Sequence, residues 1–394
     1  MKRTIRDLDV RGKRVFIRTD LNVPIKHGAI GDDTRIRESL PTIQHALDQG
    51  ATVIVASHLG RPRGKPSGEL SLRPVAARLA ELLGRPVAFA EDSVGATAKQ
   101  AIAQAGPGAL VLLENLRFHP EEETNDRPFA EALADLADVY INDAFGAAHR
   151  AHASTEGIVR YVDVAAAGLL MAKEVEHLGA LLAAPARPFV AVLGGAKVSG
   201  KIEVIENLIS RVDTLLIGGA MAYTFFSARG WPTGSSLVED DLIDAARGID
   251  TQAAEAAVVL ELPSDHVVTG KIEPGAPCEV LHVSDPAIGA RMGVDIGPAT
   301  IDSFSGVITG AKTVVWNGPM GVFEIDEFAV GTIAIARAIA NVRGTTVIGG
   351  GDSIAAVTKA GVRDRITHIS TGGGASLEFL GGRTLPGVAA LPDK

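Results

Sequence analysis

Short apolar runs alternate with amphipathic stretches along the whole chain. In the first half, runs rich in β-branched residues predict five strands, at Val15–Arg18, Thr52–Ala56, Val87–Phe89, Leu110–Leu113 and Val139–Ile141. Between them, helical spacing predicts helices over Pro41–Asp48 and Pro74–Leu83, and Gly84 is expected to end the second one. Strands that alternate with helices are typical of parallel sheets covered by helices.

The second half of the chain repeats this plan. Five further strands are predicted, at Phe189–Leu193, Thr214–Ile217, Ala257–Leu262, Thr313–Trp316 and Thr345–Ile348. Two lobes of similar build are a more natural arrangement than one very wide sheet. We therefore predict an α/β protein with two Rossmann-like lobes, each a parallel sheet flanked by helices.

A leucine-rich stretch marks the boundary between the halves. The segment Ala165–Leu182 has helical spacing, and Pro185 and Pro188 interrupt it before the next strand. We interpret it as a helix that joins two lobes; an ordinary crossover helix within one domain is the alternative. On the first interpretation the chain divides into an N-terminal lobe at 1–170, a connecting helix at 171–184 and a C-terminal lobe at 185–379.

Composition and charge narrow the class of protein. A chain of 394 residues suits two or three domains, and 46% hydrophobic with 22% charged residues excludes a disordered protein. The single Cys278 rules out an internal disulfide and fits a reducing cytoplasm. We expect no signal peptide and no membrane span, because no apolar run approaches the necessary length. The net charge of −9 argues against a nucleic-acid partner.

The residues that follow the predicted strands differ between the two halves. Open parallel sheets bind ligands at the carboxyl ends of their strands. In the first half these ends carry arginine and histidine, whereas in the second half they carry glycine, as in Gly194–Lys197, Gly218–Gly219 and Gly349–Ser353. This contrast predicts a small anionic substrate held by side chains on the first lobe and a polyphosphate held largely by backbone on the second.

Arginine is the residue type best suited to grip that anionic substrate. Its guanidinium donates several hydrogen bonds in a fixed fork, which matches phosphate and carboxylate. We predict that Arg61, Arg117 and Arg150 surround an anionic group and that Arg35 points at the reacting end. Solvated surface arginines are the alternative for each position taken alone.

Other polar residues near these arginines have two interpretations each. His58 either donates to the substrate or hydrogen-bonds the local turn. Asp20 and Asn22 either bind a substrate hydroxyl or only form a turn. A metal pair formed by His149 and His152 is disfavoured, because no carboxylates stand at metal-ligand spacing.

The segment Gly195–Ile202 nearly matches the phosphate-binding loop G-x-x-x-x-G-K-[ST]. It fails at Ile202, which has no hydroxyl for magnesium, so we reject a Walker-type NTPase. A strand end, exposed glycine amides and a following helix still favour a phosphate site, with Lys197 and Lys201 beside it. Two solvent-facing lysines are the alternative.

Two more strand–glycine–helix junctions follow. In Gly349–Ser353, Asp352 is a candidate magnesium ligand, or else caps the helix that follows. Thr371–Ser376 offers further amides at a helix start. The chain has no G-x-G-x-x-G match, no G-x-S-x-G elbow and no cysteine nucleophile candidate.

Eight segments in order resemble the motif set of the phosphoglycerate kinase family, from end to end of the chain. They are Arg18–Pro24, Ser57–Pro62, Glu114–His119, Ala148–His152, Leu193–Val198, Val315–Glu324, Gly350–Ser353 and Ser370–Glu378. The resemblance implies a two-lobed cytoplasmic monomer with Mg²⁺ that reversibly transfers a phosphoryl group between 1,3-bisphosphoglycerate and ADP, giving 3-phosphoglycerate and ATP. It also implies a C-terminal tail, 380–394, that returns to the first lobe. As a separate hypothesis, we predict that the two ligand sites lie too far apart in the unliganded protein and that closure about the Ala165–Leu182 helix brings them together and excludes water.

The same resemblance assigns site residues. For the glycerate substrate it implies Asp20, Asn22, Arg35, His58, Leu59, Gly60, Arg61, Arg117 and Arg150. For the nucleotide it implies Lys201, Gly219, Gly293, Asn317, Glu324, Gly350, Gly351, Asp352 and Ser353, with Asp352 as magnesium ligand. Around the phosphoryl group in transit it implies Arg35, Lys197, Gly373 and Gly374.

A few positions depart from the family pattern. Ser353 stands where threonine is more usual but keeps the hydroxyl, while Thr19, Leu21 and Gly382 alter packing. Two alternatives remain at this point: a catalytically silent protein that binds a nucleotide or anionic metabolite, and a kinase for another acyl phosphate.

Overall fold

The computed structural model describes residues 2–26 and 28–394, and it divides into two compact units. The first comprises the chain up to Glu176 together with Thr384–Lys394, and the second is His177–Arg383. We number the strands β1–β17 and the helices α1–α14 along the chain. Within the described ranges, no helix is both long and apolar enough to cross a membrane.

The first unit is built on a parallel sheet. Its strands are β1 Arg14–Arg18, β2 Ile25–Lys26, β3 Ala29–Ile30, β4 Thr52–Ala56, β5 Ala88–Ala90, β6 Leu110–Leu113, β7 Val139–Asn142 and β8 Ala165–Ala167. Its helices are α1 Thr34–Asp48, α2 Arg73–Leu83, α3 Gly95–Ala105, α4 Pro120–Glu123, α5 Arg127–Ala134 and the start of α6 Leu169–Ala183. The six-stranded sheet has the order β5-β6-β4-β1-β7-β8, and β2 pairs only with β3.

The second unit contains a second parallel sheet. Its strands are β9 Phe189–Leu193, β10 Thr214–Ile217, β11 Val259–Glu261, β12 Asp265–Thr269, β13 Cys278–His282, β14 Met292–Ile296, β15 Thr313–Asn317, β16 Thr345–Gly349 and β17 His368–Ile369. Its helices are α7 Ile202–Ile209, α8 Ala222–Ala228, α9 Ile243–Glu255, α10 Pro298–Gly310, α11 Val330–Ala340, α12 Gly351–Lys359 and α13 Gly374–Leu380. Helix α14, Pro386–Ala389, lies in the returning segment of the first unit.

The strand order of the second sheet locates a crevice. The sheet runs β11-β10-β9-β15-β16-β17, so the chain winds outward from β9 in one direction and from β15 in the other. In such doubly wound sheets the crevice lies beyond the carboxyl ends of the two strands where the winding reverses. The glycine-rich segments after β9 and β15 begin at that reversal.

The central strands are buried on both faces, as their uninterrupted apolar sequences require. Strand β4 is buried at all five positions, and so are β9 and β15. Side chains from the flanking helices complete each core; Ile43 of α1 and Val75 of α2 pack in the first unit. Covering both faces with helices is the arrangement that parallel sheets need. The prediction of two α/β lobes is confirmed.

Several elements differ from the sequence-based prediction. The helix predicted over Ala165–Leu182 is wrong at its start, because Ala165–Ala167 pairs with β7 as a parallel edge strand. The helix itself begins at Leu169, where Asp143 Oδ1 accepts hydrogen bonds from the amides of Leu170 (2.9 Å) and Met171 (3.1 Å). A run of alanines carries no side-chain signal for strand or helix, so the tertiary pairing decides.

Two further differences lie in the second unit. The antiparallel sheet β13-β12-β14 was not predicted, since its exposed edge strand β13 lacks an apolar pattern. The strand predicted from Ala257 begins only at Val259, because Ala257 adopts a left-handed conformation with φ of 55°. By contrast, Gly84 ends α2 in the left-handed conformation that was predicted.

The last segment of the chain packs within the first unit. The amide of Gly387 donates to the carbonyl of Ala148 (2.8 Å), and the side chain of Asn142 donates to the carbonyl of Gly387 (3.1 Å). Near the terminus, the amide of Arg3 donates to the carbonyl of Pro392, and Leu391 is buried. This segment is therefore part of the first unit's core.

We expect Leu391→Ala to lower the free energy of unfolding of the first unit by about 2–5 kcal/mol, because it removes a buried side chain and leaves a cavity. Denaturant titration followed by circular dichroism measures this loss. The control is Ala389→Ser, which changes an exposed position of the same segment. A Leu391→Ala variant as stable as the control would contradict a structural role for the segment.

Candidate active site

In the first unit, hydrogen bonds join residues that follow β1 to helix α1 and to the loop after β4. Arg35 Nη1 of α1 donates to Asp20 Oδ1 (3.2 Å) and to the carbonyl of Asn22 (3.1 Å). Asn22 Oδ1 in turn accepts from the amide of Gly60 (2.9 Å). Four of the predicted substrate residues therefore form one connected set.

Asn115 extends this set to the loop after β6. Its Oδ1 accepts from the amides of Leu59 (3.2 Å) and Arg117 (3.1 Å). Arg117 Nη1 donates to the carbonyl of Gly60 (3.0 Å). Gly60 has a φ of +62°, and a Cβ there would lie 2.7 Å from Leu70. The left-handed φ favours glycine at this position, and the carbonyl of Gly60 holds Arg117 in place.

Behind these residues lies a buried ion pair. Arg18 and Glu122 are fully buried, and Arg18 Nη2 lies 3.9 Å from Glu122 Oε1. Ser154 links them, because its Oγ accepts from Arg18 Nε (2.7 Å) and donates to Glu122 Oε1 (2.6 Å). Our sequence reasoning missed Glu122, since a Glu121–Glu123 run has the pattern of an exposed first helical turn.

His58 is neutral, and the position of its ring proton follows from its contact with Arg18. Burial lowers its pKa well below the usual value, and the charges of Arg18 and Arg117 lower it further. Arg18 Nη2 lies 3.3 Å from His58 Nδ1, and a guanidinium can only donate. Nδ1 must therefore accept, which leaves the ring proton on Nε2. His58 is a hydrogen-bond donor through that nitrogen.

Several cationic side chains lie close to one another in this region. Burial lowers the pKa of Arg117, and the charges of Arg18 and Arg150 act in the same direction. Burial together with Arg117, Arg18 and Arg150 lowers the pKa of His152 to about 3. Mutual repulsion among these cations is relieved by a bound anion. The arrangement is suited to an anionic ligand.

The remaining first-unit candidates lie at the edge of this set. Arg61 is exposed directly after Gly60, and Arg150 is half-buried. The backbone of Arg150 is fixed by Thr155, whose Oγ1 donates to its carbonyl (2.9 Å). The charge of Arg150 contributes to the lowered pKa of Arg117, which shows that the two side chains are close.

In the second unit, backbone segments approach one another closely beyond β9, β10 and β15. The amide of Gly194 donates to the carbonyl of Asn317 (3.0 Å), and the amide of Gly195 to that of Pro319 (2.8 Å). A Cβ on Gly219 would lie 2.5 Å from the nitrogen of Gly195. Only glycine permits this proximity, and the result is a crevice floor made of backbone.

Lys201 lies beside this floor. It immediately precedes α7, and burial lowers its pKa while the carboxylate of Asp352 raises it. Its Nζ would be 3.5 Å from a Cβ on Gly195. Lys197 is exposed. A desolvated ammonium beside glycine amides is suited to a phosphate group.

The junction between β16 and α12 is held by Asn317 and Ser353. Asn317 Nδ2 donates to the carbonyl of Gly349 (2.9 Å), and Ser353 Oγ accepts from the amide of Gly318 (2.7 Å). Gly350 occupies the N-cap position with a φ of +92°. The interpretation of Asp352 as that cap is therefore wrong, because Asp352 is an exposed residue of the first turn.

The donor set at Asp352 fits a magnesium ion that arrives with phosphates. Among residues 2–26 and 28–394, no group of three or more His, Cys, Asp or Glu side chains could hold a metal ion. Mg²⁺ is usually bound by one or two carboxylates together with substrate phosphates and water. A single exposed carboxylate beside Lys201 satisfies that requirement.

A cavity of about 250 Å³ lies at the crevice of the second unit. Its lining includes four predicted nucleotide residues, Gly219, Gly293, Glu324 and Asp352. Gly351 begins α12, while Gly373 precedes α13 with a φ of +54° and Gly374 begins it. The two helix starts expose amides, and the cavity walls are largely apolar.

Asp295 is a functional candidate that the sequence did not indicate. It lines the same cavity, and its carboxylate accepts hydrogen bonds from the amides of Gly331 (2.6 Å) and Ile296 (3.0 Å). Burial raises its pKa to about 7, although both hydrogen bonds act in the opposite direction. One aspartate within an otherwise apolar strand carries no pattern that reveals this role.

Comparisons with known proteins agree across the whole chain. The family model described as "Phosphoglycerate kinase" matches residues 5–383. The chain is 60% identical to a phosphoglycerate kinase of Solibacter usitatus over 98% of each chain, and 57% identical to one of Moorella thermoacetica over the full length of both. The solved phosphoglycerate kinase structure from Coxiella burnetii is similar, with a TM-score of 0.89 and 42% identity over 99% of this chain and 98% of that one.

We expect Asp295→Asn to flatten the pH dependence of unfolding. The pKa of Asp295 is about 7 when folded against an ordinary 3.8, so between these values the folded state binds more protons. Stability contributed by the wild-type side chain therefore falls as pH rises from about 4 to 7. We therefore expect the unfolding free energy of Asp295→Asn, relative to that of the wild type, to be higher at pH 8 than at pH 5.

Urea titrations at both pH values measure this shift, and any pH-independent loss from the new amide cancels in the comparison. Asp302→Asn, at an exposed position, is the control. An unchanged difference between pH 5 and pH 8 for Asp295→Asn would contradict the raised pKa.

Proposed function

The chain belongs to the phosphoglycerate kinase family, and we propose how the residues of this phosphotransferase divide the reaction between its two units. It is an ATP-dependent enzyme of glycolysis. The first unit binds 3-phosphoglycerate or 1,3-bisphosphoglycerate, and the second binds ADP or ATP. The observation that carries this division is the contrast between the arginine-rich set of the first unit and the backbone-lined crevice of the second.

The substrate is an anion at both ends with a hydroxyl between them. Arg61, Arg117 and Arg150 bind its phosphate, because the excess positive charge there is relieved by an anion. His58 donates to the same ligand from Nε2. Asp20 and Asn22 bind the hydroxyl, next to Arg35.

Arg35 then lies beside the carboxylate that reacts. Leu59 and Gly60 contribute backbone to the same site, and Asn22 and Asn115 fix that backbone. The substrate is thereby bound at both ends, which favours a ligand with two anionic groups over a simple acyl phosphate.

The nucleotide lies in the cavity of the second unit. Its base contacts the walls at Gly219 and Gly293, and Glu324 binds the ribose hydroxyls. Its phosphates accept hydrogen bonds from Lys201 and from the amides at the start of α12, which belong to Gly351, Asp352 and Ser353. Asn317 and Gly350 hold the loop from which that helix begins.

The reaction needs alignment and charge stabilisation, with little acid–base work. In the ATP-consuming direction, an oxygen of the substrate carboxylate forms a bond to the γ-phosphorus while the bond from that phosphorus to the β–γ bridging oxygen breaks, and ADP leaves with the electron pair. The attacking carboxylate is already ionised, so no base is required. Arg35, Lys197 and the amides of Gly373 and Gly374 stabilise charge on the transferred group.

Magnesium would be held by Asp352 together with the nucleotide phosphates. When bound, it would supply positive charge that neutralises the phosphates. The carboxylate of Asp352 lies near enough to Lys201 to raise its pKa, so we propose that the two side chains share the phosphate site.

A coupled assay tests this function directly. Purified protein with 3-phosphoglycerate, ATP and Mg²⁺ should form ADP and 1,3-bisphosphoglycerate, the latter detected through a dehydrogenase that consumes it. Omission of either substrate gives the background. Nucleotide binding without turnover would instead favour the catalytically silent binding protein, an alternative that no observation on the described residues supports.

We expect Arg35→Ala and Lys197→Ala each to lower kcat by about 10²-fold or more, the scale of a lost donor to the transition state. The same coupled assay at saturating substrates measures this. Arg37→Ala and Lys271→Ala are matched controls, because both side chains are exposed. A turnover within threefold of the parent enzyme would refute the assigned role.

We also expect the protein to change shape when both substrates are bound. In-line transfer requires the reacting atoms to approach within about 3.5 Å in a site that excludes water, and each substrate binds a different unit. Small-angle scattering should show a smaller radius of gyration with both ligands than with either alone. Superimposable profiles would count against closure. We also propose that the protein is a cytoplasmic monomer. The same scattering data test whether it is monomeric.

A further inference from the structure

An ammonium group links helix α12 to the loop that carries Glu324. Lys359 lies in the last turn of α12, seven residues after Asp352. Its Nζ donates to the carbonyl of Phe323 (2.8 Å) and lies 2.6 Å from Asp326 Oδ1. These two partners stand one residue before and two residues after Glu324. The ammonium therefore holds the chain on both sides of that glutamate.

Glu324 lies in a tight turn at the edge of the nucleotide cavity. The amide of Ile325 donates to the carbonyl of Val322 (3.1 Å), and the amide of Val322 donates to the carbonyl of Val294 (2.8 Å) on β14. The side chain of Phe323 is buried, whereas Glu324 is exposed and lines the cavity. An exposed side chain keeps its rotamer freedom, so the backbone of this turn decides where the carboxylate can reach.

The two contacts of Lys359 differ in strength. The side chain of Asp326 is 87% exposed, and ion pairs of that kind contribute little. The bond to the carbonyl of Phe323 is a charge-assisted hydrogen bond in a partly buried position, and the lysine side chain is only 35% exposed. A lysine in the last turn of a helix also interacts favourably with the helix dipole, which is the purely structural alternative.

Both ends of α12 are thereby connected to the nucleotide site. Lys359 follows Asp352 by nearly two helical turns, so the two residues share one face of the helix. The first turn of α12 is assigned above to the phosphates, and Glu324 to the ribose hydroxyls. Phosphates and ribose belong to one ligand, so their binding groups must keep a fixed separation. The bond from Lys359 joins the two directly.

We propose, resting on the nucleotide site assigned above, that Lys359 is a positioning residue for ribose recognition, whose ammonium holds the loop so that the Glu324 carboxylate meets the ribose hydroxyls. Lys359 itself contacts no substrate. Because it acts only through Glu324, its effect on affinity requires both that carboxylate and the hydroxyls.

Calorimetric titration of ADP and 2′,3′-dideoxy-ADP tests this without any turnover. The wild-type protein should bind the dideoxy nucleotide about tenfold or more weakly, since hydrogen bonds to a charged acceptor are lost. Lys359→Met keeps the aliphatic stem but removes the ammonium, and it should weaken ADP about threefold to tenfold while leaving the dideoxy nucleotide unchanged. Lys359→Arg keeps a cationic donor and should retain most of the discrimination.

A double-mutant cycle separates positioning from general stabilisation of the helix. In a Glu324→Ala background, Lys359→Met should cause no further loss of ADP affinity, because the group that it positions is gone. The matched control is Lys271→Met, which removes an exposed lysine whose ion-pair partner is Glu273. Neither of these two residues lines the cavity, so both nucleotides should bind the control as they bind the wild type.

Losses of equal size from Lys359→Met with and without Glu324 would overturn the proposal, and so would full discrimination in Lys359→Met. Equal binding of ADP and the dideoxy nucleotide by the wild type would also overturn it, and this outcome needs no variant that might misfold. Absence of ADP binding by the wild type would refute the nucleotide site itself. Absence of turnover in the coupled assay, with the discrimination intact, would refute the proposed function alone.

Discussion

The close approach of three backbone segments in the second unit determines most of what that unit can do. Where Gly194, Gly219 and Gly318 meet, side chains are sterically excluded, because a Cβ at any of them would fall within 2.5 Å of a backbone atom. The floor of the crevice is therefore built of peptide groups that hydrogen-bond one another, as the amides of Gly194 and Gly195 do with the carbonyls of Asn317 and Pro319, and no side chain fills the space above it. This proximity occurs at the reversal of the strand order, so the topology and the glycines support each other.

The ligand site of the first unit is of the opposite kind, because it is made of charged side chains. Arginines near one another repel, and burial increases that repulsion. The fold tolerates it through the buried carboxylate of Glu122 and through carbonyl acceptors such as that of Gly60, which pair part of the charge. Burial lowers the pKa values of Arg117 and His152, and the neighbouring cations lower them further. A site in which cationic side chains are held close together in this way is preorganised for an anion.

Much of this arrangement follows from the sequence, and the exceptions share a physical cause. Strands β4, β6 and β9 were predicted at their observed bounds, because burial on both faces leaves a strong signal. Arg35 of α1 and the loop residue Asn22 were predicted as neighbours only through strand order and family resemblance.

Features that depend on tertiary contact could not be predicted. Glu122 is buried by Arg18 and Ser154 from distant segments, and the bond from Lys359 joins helix α12 to the loop after β15. Neither has a periodic or motif signal of its own. The edge strand Ala165–Ala167 likewise exists only because β7 offers it a partner.

The discontinuity of the first unit has a consequence for biosynthesis. Its final segment, Thr384–Lys394, is separated from the rest of the unit by the entire second unit, which is continuous in sequence. On the ribosome, the second unit can therefore complete its core from residues already emerged, whereas the first unit must wait until Thr384–Lys394 has emerged as well. The half of the protein that is synthesised first is the half that matures last.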